Sequence, residues 1–323
     1  MLDKSPTLVA CKETGNDTFT VGLFGQLDRT VRDHLSPYRI IARERVEGFS
    51  IKSVIAELDG IVLRSPFKLD DEAAALAHRL KWIVRAGSGT DNISPLFGAR
   101  GVVVRSTPIN SNSVAELVLA LVLGLLRNIR AGHESLRKGL WSKHLLIGQA
   151  LRGKTVGILG YGRIGREVSL LMRWFGTSIL AHDRSPTAAE KIRASELSGT
   201  RLVSLETVLS RSDIVVACLP GTAETTRLFD DARFQAMKSG AVLVNVGRGS
   251  LIDFEALTTA LENGTLAGVA MDVFPVEPPG RMRLFEMDNV LCTPHLGAQT
   301  VQAHEAVGAG VIEHLRELLP VPA

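Results

Sequence analysis

The sequence predicts an α/β protein in which doubly wound parallel sheets form two domains. Three observations carry that expectation. Short apolar, β-rich runs alternate with helix-like segments along almost the whole chain, the pattern of strands joined by crossover helices. One strand runs into a glycine-spaced turn that opens a helix, within Leu151 to Gly165, reading LRGKTVGILGYGRIG. The chain has 323 residues, too many for one ordinary domain and suited to two.

Residues 1–17 are polar and weakly patterned, with one candidate edge strand at Thr7–Ala10. Regular alternation starts at Phe19–Phe24. Further strand-like runs fall at Tyr38–Ala42, Gly60–Arg64, Lys81–Ala86 and Gly101–Val104. Helix-like segments separate them at Gln26–Leu35, Ile51–Leu58, Asp71–Leu80 and Ile93–Arg100. A long helix is predicted over Asn112–Arg130. Ser113 and Glu116 stand at the S-x-x-E spacing of a capping box, so Glu116 reads as a cap rather than a catalytic acid. This helix is apolar nearly all round and needs burial on more than one face, as at a domain or subunit boundary.

Thr155–Leu159 is the strand ahead of the glycine turn. Gly160, Gly162 and Gly165 keep the G-x-G-x-x-G spacing, and a helix runs from Arg163 to about Phe175. Gly160 permits the tight turn, Gly162 lets a pyrophosphate approach the backbone, and Gly165 lets helix and strand pack closely. Free N–H groups at the helix start would hold the phosphates. The next strand, Ser178–His182, ends at Asp183, where an acid can bind the ribose 2′-hydroxyl of a dinucleotide. A carboxylate there repels a 2′-phosphate and favours NAD, while Arg184 beside it leaves NADP open.

Strands resume at Asp213–Leu219, Ala241–Val246, Gly268–Val273 and Val290–Thr293. Helices are expected at Glu206–Ser210, Asp230–Met237, Phe254–Glu262 and, with an amphipathic pattern, Val301–Leu319. Ligands of open parallel sheets bind at the carboxyl ends of strands, so the residues after each strand form a functional scan. That scan yields Gly247-Arg248-Gly249, then Asp272 and Glu277, then Pro294-His295. Each is more often structural when met alone. Together, on successive strand ends, they suit hydride transfer at a hydroxyl-bearing carbon. His295 would exchange the hydroxyl proton. Glu277 would hold the imidazole and stabilise its protonated form. Arg248 offers a planar fork to a carboxylate and its neighbouring carbonyl oxygen. Asp272 is a candidate for the nicotinamide end of the cofactor.

Composition narrows the field. Hydrophobic residues make up 45% of the chain, enough for real cores, and the formal net charge is only +3. Without a basic run or basic–aromatic interleaving, nucleic acid is not an expected partner. Cys11, Cys218 and Cys292 are scattered without metal spacing and fit a reducing compartment. The N-terminus shows no apolar leader core, and the longest apolar stretch, Val114–Leu126, contains Glu116 and is too short to span a bilayer. A cytoplasmic protein is expected. No G-x-S-x-G run supports a serine nucleophile, and His295 has no second metal ligand at usable spacing.

These motifs resemble the D-isomer-specific 2-hydroxyacid dehydrogenases. The match runs from about Phe19 to Thr300. It includes the loop Arg85-Ala86-Gly87-Ser88-Gly89-Thr90-Asp91-Asn92-Ile93, the glycine turn and Asn245-Val246-Gly247-Arg248-Gly249. It continues through Asp272-Val273-Phe274, Glu277-Pro278 and Thr293-Pro294-His295. The resemblance implies that Arg248, Glu277 and His295 are catalytic. It adds Arg163, Ile164, Pro220 and Val246 to Gly160, Gly162, Gly165, Asp183 and Asp272 as cofactor contacts. The Ala86-Gly87-Ser88 loop would offer backbone N–H groups to a substrate carboxylate.

It further implies a Rossmann cofactor domain, residues 111–295, inserted into a flavodoxin-like substrate domain of residues 1–110 and 296–323, and a homodimer joined through the cofactor domain. Arg64-Ser65 and the RAGSGTDN loop look most like 3-phosphoglycerate dehydrogenases, with Arg64 meeting the substrate's anionic groups. Two departures stand against that lean. The sequence ends at Ala323, without the regulatory C-terminal domain many of those enzymes carry, and Cys218-Leu219-Pro220-Gly221 replaces the usual His-Leu-Pro-Leu type run. The expected substrate is a small anionic D-2-hydroxy or 2-keto acid. Alternatives are a glyoxylate/hydroxypyruvate reductase, a phosphonate- or phosphite-type dehydrogenase, or a non-enzymatic NAD-sensing protein like the corepressors of this fold.

Overall fold

The structure, a computed structural model, describes residues 19–107, 111–185 and 189–320, with Glu190 described by its backbone alone. The expected edge strand Thr7–Ala10 and Cys11 lie outside the described residues. The chain divides into two compact units, Met1–Asn110 with Thr300–Ala323, and Ser111–Gln299.

The first unit is a five-stranded parallel sheet of β1 (Thr20–Phe24), β2 (Arg39–Arg43), β3 (Gly60–Leu63), β4 (Trp82–Arg85) and β5 (Val103–Ser106). Its order, β2-β1-β3-β4-β5, is the flavodoxin-like one. Every residue of β1, β3 and β4 is buried, which is why they read as unbroken apolar runs rather than alternating ones. Helices α1 (Arg29–His34) and α2 (Asp71–Leu76) start where Asp28 and Asp70 accept first-turn N–H groups at 2.8 and 2.9 Å. A short α3 spans Leu96–Ala99. The expected helix at Ile51–Leu58 is instead two 3₁₀ turns, Ile51–Ser53 and Ile55–Glu57. Its β-branched residues disfavour an α-helix this short, and Ile51 and Ile55 bury without one. β5 begins later than the expected Gly101 because Gly101, at φ +85°, still belongs to the turn after α3.

The second unit opens with α4 (Ser111–Leu126) and α5 (Ile129–Arg137), where one helix was expected. The break is at Asn128, which takes the left-handed conformation (φ +51°) that asparagine tolerates better than most residues. Ser113 lies inside the first turn of α4 and is buried, so the predicted capping box is not the helix start. α4 packs on helix α6 (Arg163–Trp174) and on two strands of its own unit, β11 (Leu266–Met271) and β12 (Val290–Cys292).

Between these lie β6 (Thr155–Leu159), β7 (Ser178–His182), α7 (Ala189–Ser198), β8 (Arg201–Leu202), α8 (Leu205–Arg211), β9 (Ile214–Ala217), α9 (Asp231–Ala236), β10 (Ala241–Asn245) and α10 (Phe254–Glu262). All seven strands are parallel, in the order β12-β11-β10-β9-β6-β7-β8. That is the doubly wound Rossmann order, and it reverses between β6 and β9. α7 and the two-residue β8 were not expected, since neither shows an apolar period.

Helix α11 (Val301–Leu318) returns to the first unit, where Val307, Val311 and Leu315 pack with Val21, Leu23 and Trp82. The return falls at Gln299/Thr300, four residues beyond the expected 295/296, because Asp272 ties the backbone of Leu296 and Gly297 to the second unit. Among the described residues, no helix is long and apolar enough to cross a membrane.

Candidate active site

Register places the candidate groups in one row. Leu159 pairs with Ala217, Ala217 with Asn245, Asn245 with Met271, and Met271 with Cys292. The glycine turn, Pro220, Arg248, Asp272 and His295 therefore follow adjacent strand ends, beside the point where strand order reverses. Ligands of such sheets bind at that point.

The glycine turn contains two positions that the fold requires and one that it leaves open. Gly160 sits at φ +94°, and a Cβ on Gly165 would lie 2.1 Å from the Gly160 carbonyl oxygen. Both positions therefore require glycine for the fold itself. A Cβ on Gly162 would meet nothing within 4 Å, so its absence keeps space open in front of the helix start rather than serving packing. Gly162 caps α6 without any side-chain hydrogen bond. Of the other expected contacts, Arg163 and Pro220 are exposed, Ile164 is half-buried, and Val246 is buried with its N–H on Ala217 O at 3.1 Å.

Asp183 closes the far side of the turn. It accepts N–H groups from Tyr161 (2.9 Å) and Ser185 (2.8 Å), and its Oδ1 also takes Lys191 Nζ at 2.5 Å. Burial works to raise this carboxyl's pKa, but Lys191 and the two N–H groups outweigh it and hold it below the ordinary value. Lys191 lies on α7 and escaped the sequence reading along with that helix.

Arg248 is held from both sides of its peptide. Asn245 Nδ2 donates to Arg248 O at 2.9 Å, and Asn245 Oδ1 accepts Gly247 N–H at 3.1 Å. A Cβ on Gly247 would sit 2.5 Å from Leu219 O, and one on Gly249 would sit 2.0 Å from the Phe274 carbonyl carbon. The glycines are thus demanded by the neighbouring strand-end loops, and Arg248 stands between them. Asn245, fully buried at the end of an apolar strand, was legible as an anomaly but was read only as part of a motif.

His295 Nδ1 lies 2.8 Å from Glu277 Oε2. A carboxylate partner fixes Nδ1 as the protonated nitrogen and leaves Nε2 for a substrate. Glu277 also accepts the Phe274 N–H at 3.1 Å. Burial raises its pKa, while His295, Phe274 N–H and the charge of Arg248 together bring it below the ordinary value. His295 takes φ +54°, an uncommon backbone state held by N–H bonds to Asp272 O (2.9 Å) and Thr293 O (3.0 Å). The Asp272 carboxylate accepts the Thr293 hydroxyl (2.6 Å) and the N–H groups of Leu296 (2.6 Å) and Gly297 (2.9 Å). Burial leaves its pKa raised despite those bonds. Any contact it makes with a nicotinamide comes in addition to this work.

The remaining expected residues belong to the first unit. Arg64 follows β3, and Ala86-Gly87-Ser88 follow β4, its neighbour in the sheet. Two of the three N–H groups expected there are engaged within the unit: the Ala86 N–H donates to Leu63 O and the Gly87 N–H to Arg85 O, both at 2.8 Å. Arg85, buried, shapes this loop through Ala86 O (2.6 Å) and Ser65 Oγ (3.0 Å). Its Nη1 lies 1.9 Å from where a Gly87 Cβ would be. Ser88 is the exposed residue of the three.

A glycine turn and an imidazole–carboxylate pair on one strand-end row define a dinucleotide-dependent class of protein. Residues 119–297 match the model of the D-isomer specific 2-hydroxyacid dehydrogenase NAD-binding domain. A D-3-phosphoglycerate dehydrogenase of Mycobacterium tuberculosis is 39% identical over 266 residues, covering 82% of this chain and 50% of the relative. A hydroxypyruvate reductase of Thermotoga maritima is 36% identical over 280 residues, covering 85% and 89%. A glyoxylate reductase structure from Paecilomyes thermophila superposes with a TM-score of 0.83 at 29% identity, covering 93% and 95%. The chain belongs to the D-isomer-specific 2-hydroxyacid dehydrogenase family and carries that family's NAD-binding domain. It spans about half the length of the phosphoglycerate dehydrogenases it matches.

Proposed function

We propose that the protein is an NAD-dependent dehydrogenase, or reductase in the reverse direction, acting at C2 of a small D-2-hydroxy acid. The observation that carries this reading is the 2.8 Å His295–Glu277 pair on the strand-end row that also bears the glycine turn. NAD, held by the Gly160–Gly165 turn and Asp183, supplies the hydride acceptor. His295 Nε2 removes the proton of the C2 hydroxyl during oxidation and returns it during reduction. Glu277 balances the imidazolium formed in between. Arg248 binds the substrate carboxylate and carbonyl oxygen through its planar fork. Arg64 and Ser88 are assigned to the substrate's remaining polar groups.

The phosphoglycerate-type motifs and relatives support a phosphorylated substrate. A second reading, hydroxypyruvate reductase, is favoured by a relative of matching length. NADH oxidation against glyoxylate, hydroxypyruvate, phosphohydroxypyruvate and bulkier 2-keto acids tests both. Turnover of one acid is expected. NADH binding without turnover of any would overturn the enzyme assignment.

We also assign a homodimer formed through the second unit. Along its 129–147 segment Leu136, Trp141, Leu145 and Ile147 stand 61%, 78%, 73% and 85% exposed, an apolar run that water alone does not favour. Cytoplasmic residence accords with Cys218 and Cys292, free thiols that burial pushes up to about 12 and about 11.

A further inference from the structure

Within the first unit, Arg64 meets a residue that no motif singles out. His304 lies in the first turn of α11, which Thr300 caps. Its Nε2 is 3.3 Å from Arg64 Nη2, while Arg64 Nη1 donates to Gln26 O at 3.1 Å. Both side chains are half-buried. Among the described residues no carboxylate pairs with this guanidinium. Asp28, the acid whose charge acts on His304, accepts the hydroxyl (2.5 Å) and N–H (2.8 Å) of Thr30. Arg64 thus carries a permanent charge set against a carbonyl and an imidazole, both neutral. A guanidinium donates only, so the imidazole must accept at Nε2 and be uncharged in this arrangement.

We propose that His304 is a positioning residue for Arg64 that makes this spot selective for a doubly charged anionic group on the substrate. Neutral, it holds the guanidinium by accepting its hydrogen bond. With a dianion seated against Arg64, it takes one proton from solvent and becomes a second donor to that anion. Among the described residues, the charged groups that act on His304 are Arg64 from the β3 loop and Asp28 from the β1 loop, with Glu305 next to it in sequence on α11. Burial first and Arg64 second lower its proton affinity in the free protein, and Asp28 opposes them. An arriving dianion reverses the Arg64 effect, so binding draws in a proton. This inference rests on the dehydrogenase reading above.

The test uses the full chain and the ratio of kcat/KM for phosphohydroxypyruvate to that for hydroxypyruvate. That ratio is expected to change by about threefold or more between pH 6 and 8 in a way the His304→Gln variant lacks, since glutamine still accepts from Arg64 but takes no proton. His304→Leu, which can do neither, is expected to lower the ratio throughout. The phosphate's own ionisation is common to all three proteins and cancels in the comparison. Calorimetric titration with sulfate, a dianion that does not titrate in this range, in two buffers of different ionisation heat, is expected to show proton uptake in the parent and none in His304→Gln. Identical pH profiles for parent and His304→Gln would overturn the proposal. So would proton uptake with sulfate but no pH-linked discrimination between the two acids, which would mark a site for free anions. If no acid is turned over, the dehydrogenase reading fails, and the sulfate titration still reports on the Arg64–His304 pair by itself.

Discussion

Asp272 holds His295 by the backbone and not by the ring: Asp272 O accepts the His295 N–H at 2.9 Å, while among the described residues it is Glu277 that takes the imidazole. The carboxylate of Asp272 meanwhile fixes the residues on either side, Thr293 and Leu296. Its replacement by alanine strands the buried Gly297 N–H and the part-buried Thr293 and Leu296 donors, at a cost of roughly 1–3 kcal/mol for a buried one. Asp272→Ala is therefore expected to lower Tm by several degrees and kcat together. A normal Tm with reduced NADH affinity would instead assign the side chain wholly to the cofactor.

The glycine turn separates a packing role from a binding role. Gly165→Ala is expected to destabilise the protein, because its Cβ meets a backbone oxygen that cannot step aside. Gly162→Ala is expected to melt within about 1 °C of the parent yet bind NADH at least about tenfold more weakly, since added bulk lies only where phosphates would approach. Calorimetry with and without NADH reads both. Unchanged NADH affinity in Gly162→Ala would place the pyrophosphate elsewhere.

Chemistry and anchoring divide between His295 and Arg248. His295→Ala is expected to cut kcat by about 10²–10⁴-fold while NADH still binds. Arg248→Ala removes a charge-assisted fork, so 2-keto acid kcat/KM is expected to fall with a loss of roughly 1.5–3 kcal/mol. Steady-state kinetics with NADH held saturating decides each.

The pH dependence of folding has a defined sign at Glu277. Its carboxyl is depressed in the folded state, so the stabilisation it lends is present above the ordinary carboxylate range. That stabilisation is lost as pH falls through the lower folded value. Urea midpoints between about pH 6 and 3 are expected to fall more steeply for the parent than for Glu277→Gln. Parallel curves would show that the His295 contact carries no linkage.

The exposed apolar segment gives the assembly prediction. Trp141→Glu combined with Ile147→Glu is expected to convert a dimer to a monomer in sedimentation velocity without lowering secondary structure content. A parent already monomeric at micromolar concentration would overturn the dimer assignment.

Most strands were legible because a parallel sheet covered on both faces writes each strand as one apolar run, as in TVGLF and AVLVN. The strand-end places of Arg248 and His295 were legible because each follows an apolar strand run directly, and Glu277 lies in the loop between them. What stayed hidden has physical reasons. Lys191 sits on a helix without an apolar period. His304 meets Arg64 across 240 residues of sequence, a distance no local pattern spans. The occupied N–H groups of Ala86 and Gly87 follow from the main chain itself, the first continuing the β3–β4 ladder to Leu63 O and the second closing a tight turn on Arg85 O, which composition does not reveal.

The return of α11 to the first unit has a consequence for the order of folding during synthesis. The sheet of β1 to β5 leaves the ribosome first, yet the face lined by Val21, Leu23 and Trp82, covered in part by Val31 and Leu35, stays incomplete until Val307, Val311 and Leu315 emerge. Residues 111–299 contain their own core and can close without waiting. The unit translated first is thus completed last. During that interval its apolar face is the surface on which nascent-chain chaperones would act and from which aggregation would start.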